Sequence, residues 1–241
     1  MKVAEKILKK IKQIQEGTTF NYQQMNIAPE EYSAAAKAIE RLIEKDLIKR
    51  VSTGLFYKPK KTTFGELRPR EEELIKPYLF VQGKRIAYIT GITLYNHMGL
   101  TTQVPKIIKI ASRSKRITIN SGNIHAKPVK SYVDVSNDNY YLLEVLDVLK
   151  DFTIIPDLDK NMAIIFLSTK LNELTEKDKL KIIKYALNYP PRVRALLGAL
   201  IDKINIALDT TVLKQSLNPL TLYELGINNE LLPTAQNWNI K

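Results

Sequence analysis

The stretch 47-LIKRVSTGLFYKPKK-61 holds two short apolar runs on either side of a Ser-Thr-Gly turn, and lysines and arginines surround both runs. Leucine, isoleucine, phenylalanine and tyrosine in such runs are compatible with strands, and Gly54 permits the positive φ that a tight turn needs. The stretch therefore predicts a β-hairpin with a basic surface. Such a hairpin is either an ordinary surface feature or the wing of a DNA-binding domain, and the preceding residues help to distinguish the two.

Those preceding residues begin with two predicted helices. Apolar residues recur at helical spacing within 3–14 and predict a first helix, which Gly17 ends. Asn21 with Gln24 three residues later is the pattern of a capping box. This pattern predicts a short second helix over about 21–26.

A third helix is predicted over about 29–45, because Pro29 and the two glutamates after it suit the start of a helix. Its predicted buried face consists of Tyr32, Ala35, Ala36, Ile39, Leu42 and Ile43. Two small residues begin the opposite face and would let the backbone approach base edges, and two later cations can reach phosphate or guanine. Taken alone, this face is more typical of a solvated helix surface.

Three helices followed directly by a hairpin is the order of a winged helix-turn-helix domain, and this order favours the wing interpretation. Winged helices also bind protein or RNA partners, so an interaction protein without sequence-specific DNA recognition stays open as the alternative. The predicted DNA-contacting residues lie on the third helix, the hairpin and its exit: Ser33, Ala34, Lys37, Arg41, Lys49, Arg50, Ser52, Thr53, Lys58, Lys60 and Lys61.

The positive charge of the chain is concentrated in its first 150 residues. The 241 residues carry a net charge of +12, to which residues 1–62 contribute +6, residues 63–150 contribute +5 and residues 151–241 contribute +1. A chain that was merely rich in lysine would spread the excess evenly. The distribution therefore favours a nucleic-acid partner for the N-terminal part.

Other classes of protein are disfavoured by composition. The chain has no cysteine, which excludes disulfides and thiolate metal sites. No signal-peptide pattern and no run of 18 apolar residues is present, so the sequence predicts a cytoplasmic protein without a membrane partner. The hydrophobic fraction of 44% is enough for a buried core.

Residues 59–69 combine prolines, a glycine and few apolar residues, which is typical of a linker. The predicted fold class is therefore α+β, with a winged helix-turn-helix domain at 1–62, a linker at 63–69 and an α+β domain with a mostly helical C-terminal part at 70–241. A short acidic helix follows the linker and is expected to end or kink at Pro77.

The α+β domain is predicted to contain a helix over about 89–98, three strands over about 106–111, 115–120 and 124–130, and a turn at 121–123. The basic turn between the first two strands is either solvated or a second DNA-contacting patch, formed by Arg113, Lys115 and Arg116. Helices are predicted over 142–149, 173–188 and 192–208, with one buried strand at 163–167. In the C-terminal tail, four residues are expected to dock on the body: Tyr223, Leu225, Ile227 and Trp238.

Signatures of familiar enzymes are missing from the sequence. His97 and His125 lie 28 positions apart and have no partner at ligand spacing. Asp157 and Asp159 form an Asp-x-Asp pair of the kind that holds a metal in nucleotidyl transfer, but no Gly-Ser element precedes them. The sequence therefore predicts no catalytic residues, no metal and no cofactor, and an enzyme that acts through the aspartates stays a minor alternative.

The segments 54-GLFYKP-59, 64-FGELRP-69 and 97-HMGLTTQVP-105, with Gly91 and the basic turn at 112–116, resemble the AbiEi-type antitoxins of type IV toxin–antitoxin systems. The resemblance covers about residues 1–130. It implies an N-terminal winged helix that represses its own operon by binding double-stranded DNA. It also implies a C-terminal domain that counters a nucleotidyltransferase toxin. The family's DNA-facing positions map to Ser33, Lys37, Arg41, Arg50, Ser52, Thr53 and Lys58.

Overall fold

A computed structural model describes residues 3–121, 124–204 and 208–241 of the chain. The fold is α+β, as predicted, and its contacts divide the chain into two units. The first unit comprises Met1–Arg85 with Ile119–His125, and the second comprises Ile86–Thr118 with Ala126–Lys241. None of the described helices is long and apolar enough to cross a membrane.

The elements up to residue 85 alternate between short helices and short strands. In chain order they are α1 (Val3–Gln13), β1 (Thr19–Asn21), α2 (Tyr32–Glu44), β2 (Lys49–Ser52), β3 (Leu55–Tyr57), β4 (Lys60–Thr62), β5 (Gly65–Leu67), α3 (Glu71–Leu79), β6 (Phe80–Val81) and β7 (Lys84–Arg85).

The remaining elements begin with strands and continue with helices. They are β8 (Ala87–Thr90), α4 (Ile92–His97), β9 (Ile108–Ser112), β10 (Ile119–Ser121), β11 (Ile124–Lys130), α5 (Tyr140–Asp151), α6 (Lys160–Asn172), α7 (Glu176–Ala186), α8 (Pro191–Lys203) and α9 (Thr211–Gln215).

The N-terminal helices and strands form the winged arrangement that the sequence predicts. Strands β1 and β2 both pair antiparallel with β3, which lies between them. Thr53 and Gly54 form the turn of the β2–β3 hairpin, and Gly54 has a φ of +76°. One core, which includes Ile7, Ile39 and Phe56, joins α1, α2 and the sheet.

The predicted capping box is present, although the helix that follows it is shorter than expected. Asn21 and Gln24 exchange hydrogen bonds between side chain and backbone, at 2.9 Å and 3.1 Å. Only one 3₁₀ turn, Gln23–Met25, follows Asn21, and the chain before it forms β1. Asn21 is the last residue of β1, so the box links a strand to a single helical turn.

The third predicted helix is present as a 3₁₀ turn, Pro29–Glu31, that leads into α2. Its buried face differs from the prediction at four positions, and two of them, Ala36 and Ile43, are only partly buried. The Tyr32 side chain is 43% exposed, whereas Ala38 is buried with Ala35, Ile39 and Leu42. Tyr32 packs edge-on against the ring of Tyr22 instead of entering the core.

The segment predicted as a linker contains regular structure. Strands β4 and β5 pair antiparallel, with Lys60 opposite Leu67 and Thr62 opposite Gly65. The first unit continues through Arg85, past the predicted linker at 63–69. A sequence poor in apolar residues forms a hairpin here because backbone pairing and a tight turn do not require a buried side chain.

Pro77 lies inside α3 and does not end it, so of the two predicted outcomes, an end or a kink, the end is wrong. A proline has no N–H, so the carbonyl four residues earlier, that of Glu73, lacks its helical donor. The Thr19 hydroxyl donates to the Glu73 carbonyl oxygen at 2.5 Å. Thr19 is buried, and its hydroxyl therefore replaces the donor that Pro77 removes.

The second unit contains a sheet in which β9 lies between β11 and β8. Strands β9 and β11 are parallel, and β8 runs antiparallel to β9. Strand β8 was not predicted, and the helix predicted to begin at about residue 89 begins at Ile92. Gly91, with a φ of +72°, separates β8 from α4. Residues 122 and 123 of the predicted turn lie outside the described residues.

The predicted strand at 163–167 is wrong, because these residues belong to α6. Ala163, Ile164 and Leu167 are buried at the spacing of one helix face. Asp159 caps this helix, since its Oδ1 accepts a hydrogen bond from the Met162 N–H at 3.0 Å. The periodicity of a short apolar run does not distinguish a strand from a helix. Here the cap at its start and the length of the whole segment favour the helix.

The C-terminal tail docks on the helices of the second unit, as predicted. Tyr223, Leu225, Ile227 and Trp238 are buried in the same core as α5 and α8. The Trp238 indole Nε1 donates to Asp202 Oδ2 at 2.7 Å. Its ring lies against the backbone of α8 at Gly198, where an added Cβ would come within 2.2 Å of the ring.

A buried polar network joins β8 to α5. Asp147 Oδ2 accepts hydrogen bonds from the Tyr88 hydroxyl at 2.9 Å and the Thr90 hydroxyl at 2.6 Å. Lys150 Nζ donates to Asp147 Oδ1 at 2.9 Å. The Tyr95 hydroxyl lies 2.7 Å from the carboxylate of Asp151. These bonds satisfy Asp147, whose burial without partners would cost several kcal/mol.

Candidate nucleic-acid interface

The exposed face of α2 carries the four residues of this helix that are predicted to contact DNA. Ser33, Ala34, Lys37 and Arg41 are all exposed. They follow one another along one side of the helix because Ala35, Ala38, Ile39 and Leu42 occupy the buried side. No ion pair to Lys37 or Arg41 is formed by the described part of the chain. The two charges are therefore available to an external anion.

The wing carries cations that are already paired within the first unit. Arg50 forms an ion pair with Glu40 of α2 and lies over the ring of Phe56, 5.7 Å from its centroid. Lys49 forms an ion pair with Glu66 of β5. The hydrogen bond with Glu66 raises the pKa of Lys49. Both pairs are solvent-accessible, so each contributes about 1 kcal/mol or less to stability.

Lys58 has a structural partner that its sequence position did not reveal. Its Nζ donates to the carbonyl oxygens of Ile14 at 2.9 Å and Lys12 at 3.3 Å. These carbonyls lie at the C-terminal end of α1, where unpaired C=O groups and the negative end of the helix dipole favour a cation. Lys58 thus caps α1 from the exit of the wing.

The tip of the wing has short polar side chains, as predicted. Ser52 Oγ lies 3.4 Å from the Tyr78 hydroxyl of α3. Thr53 is exposed at the turn. A hydroxyl at such a tip can donate a hydrogen bond to a phosphate oxygen.

The hairpin β4–β5 extends the basic surface beyond the wing. Lys60 and Lys61 are exposed, and neither has an intramolecular partner among the residues that the structure describes. The Lys49–Glu66 ion pair links this hairpin to the wing. The predicted cations of the first unit therefore fall into two groups. Lys37, Arg41, Lys60 and Lys61 have no partner within the described ranges, and Lys49, Arg50 and Lys58 are paired.

The basic turn of the second unit is exposed at all three predicted positions, Arg113, Lys115 and Arg116. Arg113 Nε lies 3.8 Å from Asp134 Oδ1, and both side chains are well exposed. The turn is closed by Ser112, whose hydroxyl donates to the Ile86 carbonyl at 2.7 Å and lies 3.3 Å from the Lys115 N–H. The turn has a defined shape and presents two cations without an ion pair in the described residues.

The aspartate pair considered for metal binding has another role in this fold. Asp159 caps α6, and Asp157 Oδ2 lies 3.3 Å from Gln103 Nε2. Asp157 has a φ of +55°. Within the described residues, no three histidines and carboxylates lie close enough together to hold a metal ion.

The sequence of the chain matches the model of a family of unknown function, DUF6088, over residues 6–137. The chain belongs to that family. The DUF6088 region includes nearly all of the winged arrangement, both basic hairpins and the strands of the second unit. No curated protein matches the chain.

A solved structure is similar to this one in fold. The crystal structure of the RV2827C protein from Mycobacterium tuberculosis aligns with 92% of this chain and 85% of that chain, with a TM-score of 0.51 and 9% sequence identity. An identity this low establishes a shared fold alone.

Proposed function

We propose that this DUF6088 protein binds duplex DNA through the exposed face of α2 and the wing. The observation that carries the proposal is the gradient on α2, where Ser33 and Ala34 precede the unpaired cations Lys37 and Arg41. Small residues let a helix approach base edges in the major groove, and long cations contact guanine or phosphate. The adjacent β2–β3 hairpin supplies the second contact that a winged helix uses.

We further propose that the chain is an autorepressor and the antitoxin of a type IV toxin–antitoxin system. The support is the resemblance to AbiEi-type antitoxins together with the DNA-binding features of the first unit. In this role the protein would repress its own operon and counter a nucleotidyltransferase toxin. A nucleotidyltransferase gene directly beside this one would agree with the proposal.

The test compares binding of the full chain to the duplex upstream of its own gene and to a scrambled duplex. Specific recognition predicts a preference of about 10³-fold or more at physiological salt. Lys37→Ala and Arg41→Ala should each weaken specific binding by about 5- to 150-fold, since a bidentate base contact contributes about 1–3 kcal/mol. The matched control is Lys177→Ala, which removes an exposed lysine of α7. Equal affinity of both variants and the parent would refute this role for α2.

A second candidate is an interaction protein whose winged unit binds a protein or RNA. The internal contacts of Lys49, Arg50 and Lys58 favour it, because carboxylates or backbone carbonyls already occupy these cations. The exposed apolar residues Tyr32 and Leu47 at the two ends of α2 also suit a protein contact. Equal binding to the native and scrambled duplexes would favour this candidate.

A further inference from the structure

The hairpin β4–β5 presents a phenylalanine at its tip. Phe64 lies in the two-residue turn between Thr62 and Gly65, and its side chain is 100% exposed. Since an exposed ring has no packing contact, Phe64 contributes nothing to the core of the first unit. The ring is therefore fully available to a binding partner.

The tip is held in one conformation by its own hydrogen bonds. The Thr62 hydroxyl donates to the Gly65 carbonyl at 2.7 Å and accepts from the Phe64 N–H at 3.3 Å. The hairpin is joined to the wing by the Lys49–Glu66 ion pair. These contacts restrict the backbone of the turn, so holding that backbone in place on binding would cost little conformational entropy.

The surroundings of Phe64 are strongly basic. Lys60, Lys61 and Arg68 are exposed, and they have no ion-pair partner in the part of the chain that the structure describes. Glu66, the carboxylate within the hairpin itself, forms an ion pair with Lys49. An apolar ring with unpaired cations on both sides complements duplex DNA. The ring can stack on a base in place of the neighbouring base, and the cations can neutralise the phosphates of the DNA backbone.

We propose that Phe64 inserts between adjacent bases of bound duplex DNA, while Lys60, Lys61 and Arg68 contact the flanking phosphates. This inference rests on the proposed DNA binding, and it adds a second contact element to α2 and the wing. Insertion separates two stacked bases at a cost of a few kcal/mol, and contact of the base faces with the ring offsets that cost.

The experiment uses the full chain and a set of duplexes from the region upstream of its gene, each carrying 2-aminopurine at one position. Binding of the parent protein should raise the fluorescence at one step, where the bases unstack. Phe64→Ala should abolish that rise and weaken binding by about 5- to 150-fold, the range for removing an aromatic ring that stacks on a base. Because no charge is removed, the slope of affinity against salt should not change.

Two further variants sharpen the result. Phe64→Trp keeps an aromatic ring at the tip and should retain both the fluorescence rise and the affinity. Leu220→Ala removes another exposed apolar side chain, 91% exposed in the second unit, and should change neither. Phe64 packs against nothing, so loss of folding cannot account for the effect of its removal.

The outcomes separate the inference from the proposed function. Tight, specific binding by Phe64→Ala with the same fluorescence rise would overturn insertion and leave the autorepressor proposal intact. Weaker binding by Phe64→Ala, without any rise for the parent, would also overturn insertion, because the ring would then contact the groove or backbone only. A Phe64-dependent rise on native and scrambled duplexes alike would support insertion and overturn sequence-specific recognition.

Discussion

The contact between Gly198 and Trp238 gives a prediction in which two effects of one substitution oppose each other. Gly198→Ala places a methyl group in the interior of α8. In a helix whose glycine faces solvent, this change would stabilise the protein by about 1 kcal/mol, because glycine is a poor helix former. Here the added Cβ would lie 2.2 Å from Trp238 Cη2, whereas carbon atoms pack at about 3.5–4.0 Å.

Relief of this clash requires the indole to move by more than about 1 Å. Overpacking of this kind costs about 1–3 kcal/mol. The displacement would also lengthen the 2.7 Å hydrogen bond from Trp238 Nε1 to Asp202, and a hydrogen bond to a charged group contributes about 1.5–3 kcal/mol, less where water reaches the carboxylate. The steric and hydrogen-bond losses exceed the gain in helix propensity, so Gly198→Ala should lower the free energy of unfolding by about 2–4 kcal/mol.

Trp238 is the sole tryptophan, so urea unfolding followed by fluorescence and circular dichroism would report the ring and the helices separately. The matched background is Trp238→Leu, which removes the ring. In that background Gly198→Ala should be neutral or stabilising, by up to about 1 kcal/mol. Stabilisation by Gly198→Ala in the parent protein, or equal destabilisation in both backgrounds, would refute the argument.

Two further predictions concern stability. Thr19→Val should lower the free energy of unfolding by about 1–3 kcal/mol, because the Glu73 carbonyl loses its donor. In the Thr19→Val background, Pro77→Ala should restore part of this free energy of unfolding, because it supplies a backbone N–H. As a control, Thr18→Val should have little effect in the same urea titration. Burial raises the pKa of three tyrosine hydroxyls above their ordinary value of 10, at Tyr88, Tyr95 and Tyr189. The native state keeps these protons while the unfolded chain loses them, so the contribution of these three groups to stability should be constant below about pH 10 and then fall by about 1.4 kcal/mol per pH unit for each group. Urea midpoints at pH 8, 10 and 11 measure this fall, which should be shallower in Tyr95→Phe; an unchanged midpoint at pH 11 would contradict the argument.

Local patterns predicted local structure well. The Asn21–Gln24 capping box, the turn at Gly54 and the exposed side of α2 follow from residues within a few positions of one another. The strand predicted at 163–167 is wrong because a five-residue apolar run shows no decisive period. The residue that caps this helix, Asp159, also fits the pattern of a metal ligand, and only the structure shows its capping hydrogen bond.

Partners distant in sequence could not be predicted. Tyr88 lies 59 residues from Asp147, and Thr19 lies 54 residues from Glu73. A polar side chain needs a hydrogen-bond partner once it is buried. The residues next to it in the sequence do not identify that partner. Lys58 is another example. Its position after the wing favours a DNA contact, and only the fold shows that its ammonium group binds the end of α1.

The paired cations of the first unit differ in how readily DNA could recruit them. In the Arg50–Glu40 pair the side chains are 47% and 54% exposed, and such a pair contributes at most about 1 kcal/mol. A phosphate that approaches Arg50 can replace Glu40 with little loss of stability. Lys58 instead satisfies two carbonyls at the end of α1, which would stay unpaired if it moved to a phosphate. Arg50→Ala should therefore weaken DNA binding more than it weakens the fold, whereas Lys58→Ala should mainly destabilise the first unit.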